Sequence, residues 1–277
     1  MALSILTNMA SLEAQRNVNK TQGYLERSVE RLSSGRRINH ASDDAAGLAI
    51  SSKMTAEVRG LKQAQRNAFD AISMVQTAEG GLGQVNDLLA RMRELAIEAA
   101  NGGTLGDSER ESLQEEYGAL LEEIDRIVNV TTYNGQVLLS GDLSSVDFQV
   151  GAFNTTSDRI SIGINSVSST NLSINSNNVT TYANARASVN NLDGAINMVA
   201  SFRAAIGASQ NRVEATIENL STMFNNLSAA NSRILDVDVA EESATLTRNS
   251  ILLQAGISVL SQANSQPQAA LQLLRGG

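Results

Sequence analysis

LDGAINMVASFRAAIGASQNRVEATIENLSTMFNNLSAANSRI, residues 192–234, is the stretch whose reading decides the fold. Within it Leu192, Ile196, Val199, Arg203, Ile206, Gln210, Val213, Ile217, Leu220, Phe224, Leu227, Asn231 and Ile234 recur at alternating spacings of 4 and 3. That is the a/d repeat of a helix burying one seam against other helices. At ~1.5 Å of rise per residue, the stretch predicts a rod of about 60 Å. Three seam positions, Arg203, Gln210 and Asn231, are polar. Polar a/d residues fix register and partner number at some cost in stability.

The same spacing appears earlier in the chain. Val75, Ala78, Leu82, Val85, Leu89, Met92, Ala96 and Ala99 keep it, and it runs back less regularly through Leu61, Ala64, Ala68 and Ile72. Asn101-Gly102-Gly103 ends that helix, as glycine past the last periodic residue does. A second helix opens at Asp107-Ser108 with acids in its first turn, and Leu113, Tyr117, Leu120, Ile124 and Ile127 form its apolar row. The short connection folds it back antiparallel on the first. The predicted helices are therefore about 44–100, 107–128 and 185–235. Gly80-Gly81-x-Gly83 sits inside a heptad helix and not after a strand, so it reads as a place of close packing or slight bending and not as a phosphate loop.

A β-region is expected at about 132–165. Tyr133-Asn134-Gly135-Gln136 carries the Asn-Gly signal of a tight hairpin. Val146, Phe148 and Val150, then Ile160, Ile162 and Ile164, alternate with other residues as strands do. Residues 165–181 are rich in Ser, Asn and Thr and read as a polar loop. Both termini have weaker helical patterns. The last places Leu246, Leu253, Ile257, Leu260, Leu271 and Leu274 on one seam, where Ser250, Asn264 and Pro267 also fall. The first offers Leu3, Leu6, Ala10, Leu25, Val29 and Leu32. Neither buries enough alone to offset its ordering entropy, so both are expected to fold against a partner or each other. The expected fold class is mainly α: a long coiled-coil hairpin or bundle with its terminal helices paired, plus a small β-hairpin region.

Composition narrows the function. The 277 residues include one His, no Cys, no Trp and one Pro. Thiolate metal sites, disulfides and cysteine nucleophiles are excluded, and most histidine general-base schemes with them. The formal charge is −8, unlike a nucleic-acid scaffold. It is unevenly spread: residues 67–165 hold 5 basic and 16 acidic side chains, read as a solvated acidic middle. The opening MALSILTNMASLEAQR lacks the basic n-region of a cleavable signal, and no stretch is apolar enough to span a membrane. Asp43 and Asp44 read as helix caps, not metal ligands. The expectation is a non-enzyme without cofactor or metal, without nucleic acid or membrane as partner.

LERSVERLSSGRRINHASDDAAGLAIS at 25–51, QRNAFDAISMVQTAEGGLGQVNDLLARMRELAIEAANG at 65–102, EEIDRIVNVTTYNGQVLL at 122–139, NRVEATIENL at 211–220 and ILLQAGISVLSQANSQPQAALQLL at 251–274 resemble bacterial flagellin over nearly the full length of the chain. The resemblance implies a subunit of the helical flagellar filament, the motility propeller. It implies a terminal-helix filament-core domain of 1–40 with 240–277 and a rod domain of 41–239, without inserted outer domains. The implied partners are further copies of the chain, an export chaperone and the flagellar type III apparatus, hook-associated and cap proteins, and a Toll-like innate receptor; the implied location is extracellular. Residue by residue it assigns Arg91, Leu95 and Glu116 to subunit and receptor contact. Leu253, Ile257, Leu260, Leu271, Leu273 and Leu274 fall to the filament core and the sensor-read C-terminus. Arg91 and Leu95 lie off the seam, so they are expected to face a partner. The alternatives are a hook–filament junction protein or a minor co-polymerising flagellin.

Overall fold

The computed structural model describes residues 7–103 and 105–275, with side chains through residue 266. Among these residues it is mainly helical: α1 (Met9–Ser34), α2 (Ala45–Ala99), α3 (Asp107–Val130), α4 (Tyr182–Leu235) and α5 (Val239–Arg275). Four short strands lie between α3 and α4, namely β1 (Thr132–Tyr133), β2 (Gln136–Val137), β3 (Val146–Gln149) and β4 (Arg159–Ile162). The chain forms two units, Met1–Ala56 with Asn226–Gly277, and Glu57–Asn225.

In the Glu57–Asn225 unit α2 is the central helix, because it has neighbours on two sides. Arg91 pairs with Glu116 of α3 at 2.8 Å, and Arg93 with Asp193 of α4 at 2.5 Å. Two neighbours demand two buried rows. The predicted seam from Val75 to Ala99 is buried at every position, and it continues back through Ala71, Ala68, Ala64 and Leu61. Ala71, not Ile72, holds the phase. The second row is Met74, Gly81, Leu88 and Leu95, one residue off the seam and repeating every seventh residue.

In α4 the predicted alternation separates into two kinds of position. Leu192, Val199, Ile206, Val213 and Leu220 are fully buried, each seven residues from the last. Ile196, Ile217 and Phe224 occupy the other row and are half-buried, as are Leu227 and Ile234 in the terminal unit. All three polar seam residues fall in the half-buried row, although Arg203 Nε and Asn231 Oδ1 are shielded there without a hydrogen-bond partner among the described residues. Arg203 lies 3.8 Å from Glu79, and Asn231 Nδ2 donates to Thr55 Oγ1 at 3.2 Å. Gln210 instead bonds Glu214 on its own helix.

The β1–β2 turn uses Asn134 and Gly135 at φ 50° and 79°, the two positive angles a type I′ hairpin requires. Leu138 and Leu139, fully buried just beyond it, pack down on α2. A Cβ on Gly81 would lie 2.8 Å from Leu139 Cδ1 and 2.9 Å from Thr131 Oγ1. β3 and β4 pair antiparallel from Val146↔Ile162 to Gln149↔Arg159.

The 165–181 segment has no helix or strand, yet it is not a solvated loop. Val167, Leu172, Ile174 and Val179 are buried in the core. Its backbone is held by side chains of α3: Asp125 accepts from the Ser169 N–H at 2.9 Å and its hydroxyl at 2.7 Å, and Gln114 accepts from the Val179 N–H at 2.7 Å. Irregular backbone can be buried here because these groups answer its hydrogen bonds.

In the terminal unit α1 and α5 run antiparallel. Asn8 Nδ2 donates to the Ala263 carbonyl at 2.8 Å, Ser11 Oγ to Asn264 Oδ1 at 2.6 Å, and Arg31 reaches Glu242 at 3.7 Å. Between helices the chain is clasped to itself. The Arg37 N–H donates to the Leu235 carbonyl at 2.7 Å and the Val237 N–H to the Gly35 carbonyl at 3.1 Å. Asn8, Asp44 and Asp238 cap α1, α2 and α5, accepting from the N–H groups of Ser11, Gly47 and Ala240.

Candidate functional site

The surface most in need of a partner is α5. Leu246, Leu253 and Leu260 are half-buried, as one row of the predicted seam. The other row is Asn249, Gly256 and Ala263, which are more covered than the predicted Ser250, Ile257 and Asn264 row as a whole. Part of the inward side is therefore given to Gly256 and Ala263, while several large aliphatics stay exposed. Ile257 is 54% exposed, contrary to its expected place on the seam, and Ile251, Leu252 and Val259 are 60, 52 and 59% exposed. The physical reason is the close antiparallel pairing with α1: a Cβ on Gly256 would sit 3.0 Å from Val18 Cγ2, leaving no room there for isoleucine. Met9, Leu12 and Val29 of α1 are also exposed. Solitary exposed apolar residues need no explanation, but four large aliphatics within nine positions of one helix do. Leu271, Leu273 and Leu274 lie on α5, with side chains outside the described residues.

Arg91 and Glu116 are brought together, and both remain exposed. Glu116 Oε1 accepts from Arg91 Nε and Nη2 at 3.0 and 2.8 Å, and Glu94 accepts from Nη1 at 3.1 Å. These carboxylates, Glu116 first, raise the guanidinium above its already high range. Leu95 corrects the expectation that it faces a partner. It is 1% exposed, in the second buried row of α2. Being off the a/d seam signalled exposure only for a helix with a single neighbour, and α2 has two.

Two features were not anticipated. Arg110 of α3 is buried and donates to the carbonyls of Ala99 and Asn101, each at 3.2 Å, while reaching Asp107 at 3.4 Å. It places a cation on the carbonyl of Ala99, the last residue of α2, and on that of Asn101 just past its end. In the sequence, its place three residues after Asp107 signals only a local ion pair. Second, Arg31 bridges Asp43 at 3.6 Å and Glu242 at 3.7 Å. Asp43 also accepts from the N–H groups of His40 and Asn39, both at 3.1 Å. The His40 bond is the largest influence holding its carboxyl below the ordinary range, with Asn39, Arg31 and His40 charge adding to it against the effect of burial. Among the described residues no cluster of three His, Cys, Asp or Glu could hold a metal, and no helix is long and apolar enough to cross a membrane.

Known proteins share this arrangement. Residues 5–144 match the bacterial flagellin N-terminal helical region and residues 189–274 the bacterial flagellin C-terminal helical region. The chain is 44% identical over 272 residues to a flagellin of Halalkalibacterium halodurans, covering 97% of this chain and 98% of that one. It is 42% identical over 301 residues to a flagellin of Bacillus subtilis, with coverage of 97 and 98%. The crystal structure of Bacillus cereus flagellin superposes with a TM-score of 0.51 at 30% identity, covering 60% of this chain and 94% of that one. With both helical regions matched and the relatives spanned almost end to end, the chain belongs to the bacterial flagellin family.

Proposed function

We propose that the terminal hairpin is the polymerising device of this chain, and that the outward aliphatic face of α5 is what it buries on assembly. As a flagellin the chain is a structural subunit of the helical flagellar filament. The observation carrying the mechanism is the exposure of Ile251, Leu252 and Val259 on one side of α5 and of Ile257 on the other. A monomer keeps that area in water; a polymer removes it, at roughly 25 cal/mol per Å². On this reading residues 1–40 with 240–277 are the filament-core domain and 41–239 the rod domain. Leu253 and Leu260 join α5 to α1, whereas Ile257 joins it to a neighbour. Leu271, Leu273 and Leu274 extend the same core.

The same reading gives the chain an extracellular life in the filament, reached through the flagellar type III apparatus with an export chaperone, between hook-associated proteins and a cap. Arg91 and Glu116 are the exposed side chains of the proposed receptor and subunit contact, and Leu95 supports them from beneath. Catalysis has no place in this structural role. A minor co-polymerising flagellin or a hook–filament junction protein is the alternative; a homopolymer grown from this chain alone separates a filament subunit from the junction protein.

Full-length protein carrying Leu252→Ser and Val259→Ser tests the mechanism, since both positions are exposed and their loss leaves the monomer's helices paired. Seeded wild-type protein is expected to form long filaments by negative-stain microscopy, and the variant to remain soluble with the same far-UV spectrum. Filaments of the variant at the wild-type concentration would refute the role of this face.

A further inference from the structure

The chain has two Asn-Gly pairs, Asn101-Gly102 just past the end of α2 and Asn134-Gly135 in the β1–β2 turn. In such a pair the backbone nitrogen of the glycine can attack the asparagine amide, because no side chain stands beside that nitrogen. Both pairs are exposed to water. The fold nevertheless treats them differently.

Closing the five-membered ring needs the asparagine Cβ and the next nitrogen to eclipse one another about the Cα–C bond. Asn134 cannot meet that need without leaving its turn. The type I′ hairpin holds it in the left-handed region, at φ 50°, where the two atoms stand nearly anti. The turn is kept by the β1–β2 pairing, by the Leu138 N–H on the Thr131 carbonyl at 2.9 Å, and by the burial of Leu138 and Leu139 just beyond it.

Asn101 is arranged the other way. Its Oδ1 accepts from the Gly103 N–H at 3.2 Å, which folds the side chain over the intervening peptide and brings its amide carbon toward the Gly102 nitrogen. The Gly102 N–H makes no hydrogen bond among the described residues. Charge develops at two places in the reaction, and each has a donor. When the Gly102 nitrogen loses its proton, the negative charge is shared with the Asn101 carbonyl oxygen, which accepts from Nη2 of the buried Arg110 at 3.2 Å. When that nitrogen adds to the amide carbon, the charge moves to Oδ1, where the Gly103 N–H already points. Donors fixed in advance where charge will appear lower a barrier of this kind. Arg110 is itself fixed, by the Ala99 carbonyl at 3.2 Å.

We infer that Asn101-Gly102 is a self-modifying site, at which the asparagine amide is converted to an acid with water as the only co-reactant. Hydroxide from solvent takes the Gly102 proton, and the nitrogen forms a bond to Cγ of Asn101. The Cγ–Nδ2 bond then breaks, and the amide leaves as ammonia with a proton from water, which regenerates the hydroxide. Water opens the resulting succinimide. Addition at the former main-chain carbonyl, the one Arg110 polarises, breaks its bond to the Gly102 nitrogen and leaves an isoaspartyl link whose new carboxylate faces Arg110. The connection between α2 and α3 gains one main-chain carbon and one negative charge. The site does not depend on the filament-subunit reading.

The experiment ages purified full-length protein at mildly alkaline pH, folded and in guanidinium, and follows both pairs by peptide mapping, mass spectrometry and isoaspartyl methyltransferase labelling. Asn101 is expected to react in the folded chain at least as fast as in the unfolded one, and Asn134 at least about tenfold slower. In guanidinium the two rates should agree within about threefold, because nothing then distinguishes their conformations. Arg110→Met, compared under conditions where it keeps the wild-type far-UV spectrum, is expected to slow Asn101 at least about threefold, and Arg110→Lys to restore part of the rate. An arginine that merely clamped the connection would act oppositely, since its removal would free the segment and speed the reaction. Unchanged or faster reaction in Arg110→Met overturns the role of that cation. Protection of folded Asn101 equal to that of Asn134, or chain scission after Asn101 in place of deamidation, overturns the site itself, and that comparison needs no variant.

Discussion

Three glycines within one turn of α2 offer a stringent test of how this unit packs. Gly80, Gly81 and Gly83 are all helical, and replacing any of them by alanine removes the entropic cost of glycine, worth about 0.8–1 kcal/mol in a helix interior. For Gly80 and Gly83 nothing opposes the gain, since an added Cβ meets no atom within 4 Å. For Gly81 it would meet Leu139 Cδ1 at 2.8 Å and Thr131 Oγ1 and Cγ2 at 2.9 and 3.0 Å. Neither neighbour moves freely: Leu139 is fully buried, and Thr131 Oγ1 donates to the Ile127 carbonyl at 2.7 Å. Overpacking of this kind costs about 1–3 kcal/mol. Gly80→Ala is therefore expected to stabilise the unit by about 1 kcal/mol and Gly81→Ala to destabilise it by about the same, a separation near 2 kcal/mol between adjacent positions. Guanidinium denaturation of monomeric protein, followed by circular dichroism at unchanged slope, measures both. Equal stabilisation by the two substitutions would refute the docking of the hairpin on Gly81, and with it the second buried row of α2.

Two further perturbations address the other unanticipated features. Arg110→Met keeps the buried stem and removes the cation from the Ala99 and Asn101 carbonyls; it should cost about 2–3 kcal/mol in the same denaturation assay, and a loss under 0.5 kcal/mol would show that water serves those carbonyls equally well. Asp43 has a carboxyl held below its ordinary value in the folded chain, so its contribution is present above the unfolded value and disappears as pH falls through the folded one. Asp43→Asn should therefore be less stable than wild type at neutral pH, with the difference shrinking as pH falls through the lowered titration of the folded carboxyl. A difference unchanged across that range would assign the loss to geometry and not to charge.

Much of this architecture was legible because heptad spacing is a long-range signal. The α4 seam, the α2 seam from Val75 onward and the Asn134-Gly135 turn all stand where local chemistry put them. Two of the differences share one cause: at an ambiguous position hydrophobicity alone favours the more apolar residue inward. Ile72 was preferred to Ala71, and Ile257 to Gly256, whereas the structure keeps phase and turns the small residue in. Hydrophobicity predicts burial against an unspecified neighbour; it does not know how near the neighbour comes. The 165–181 segment hid its core role for a different reason. Val167, Leu172, Ile174 and Val179 have no common period, and the hydrogen bonds that permit their burial come from Asp125 and Gln114, far back in the chain. Of the contact residues, Arg91 and Glu116 stand together on the surface, and only the second neighbour of α2 could have told that Leu95 would not.

The two units differ in how they satisfy their apolar side chains, and that difference explains why one chain serves both as monomer and as polymer. From Ala68 to Val213 the Glu57–Asn225 unit has a continuous core with buried contributions from α2, α3, β4, the 165–181 segment and α4, so its ordering entropy is met within the chain. The terminal unit has few fully buried apolar side chains among its described residues, Ile38 and Ala263. Its helices are held instead by caps, a backbone clasp and the Arg31 bridge, interactions strong enough to set a geometry and too weak individually to stabilise two long helices in water. Ile251, Leu252, Ile257 and Val259 are left exposed, while Asn249, Gly256 and Ala263 face α1 beside the half-buried Leu246, Leu253 and Leu260. On the proposed assembly, moving Ile257 inward would strengthen the monomer and remove apolar area from the face a neighbour covers, so the two stabilities compete at this helix. A chain that must remain soluble alone and hold together in a filament is served by leaving that burial to the neighbour.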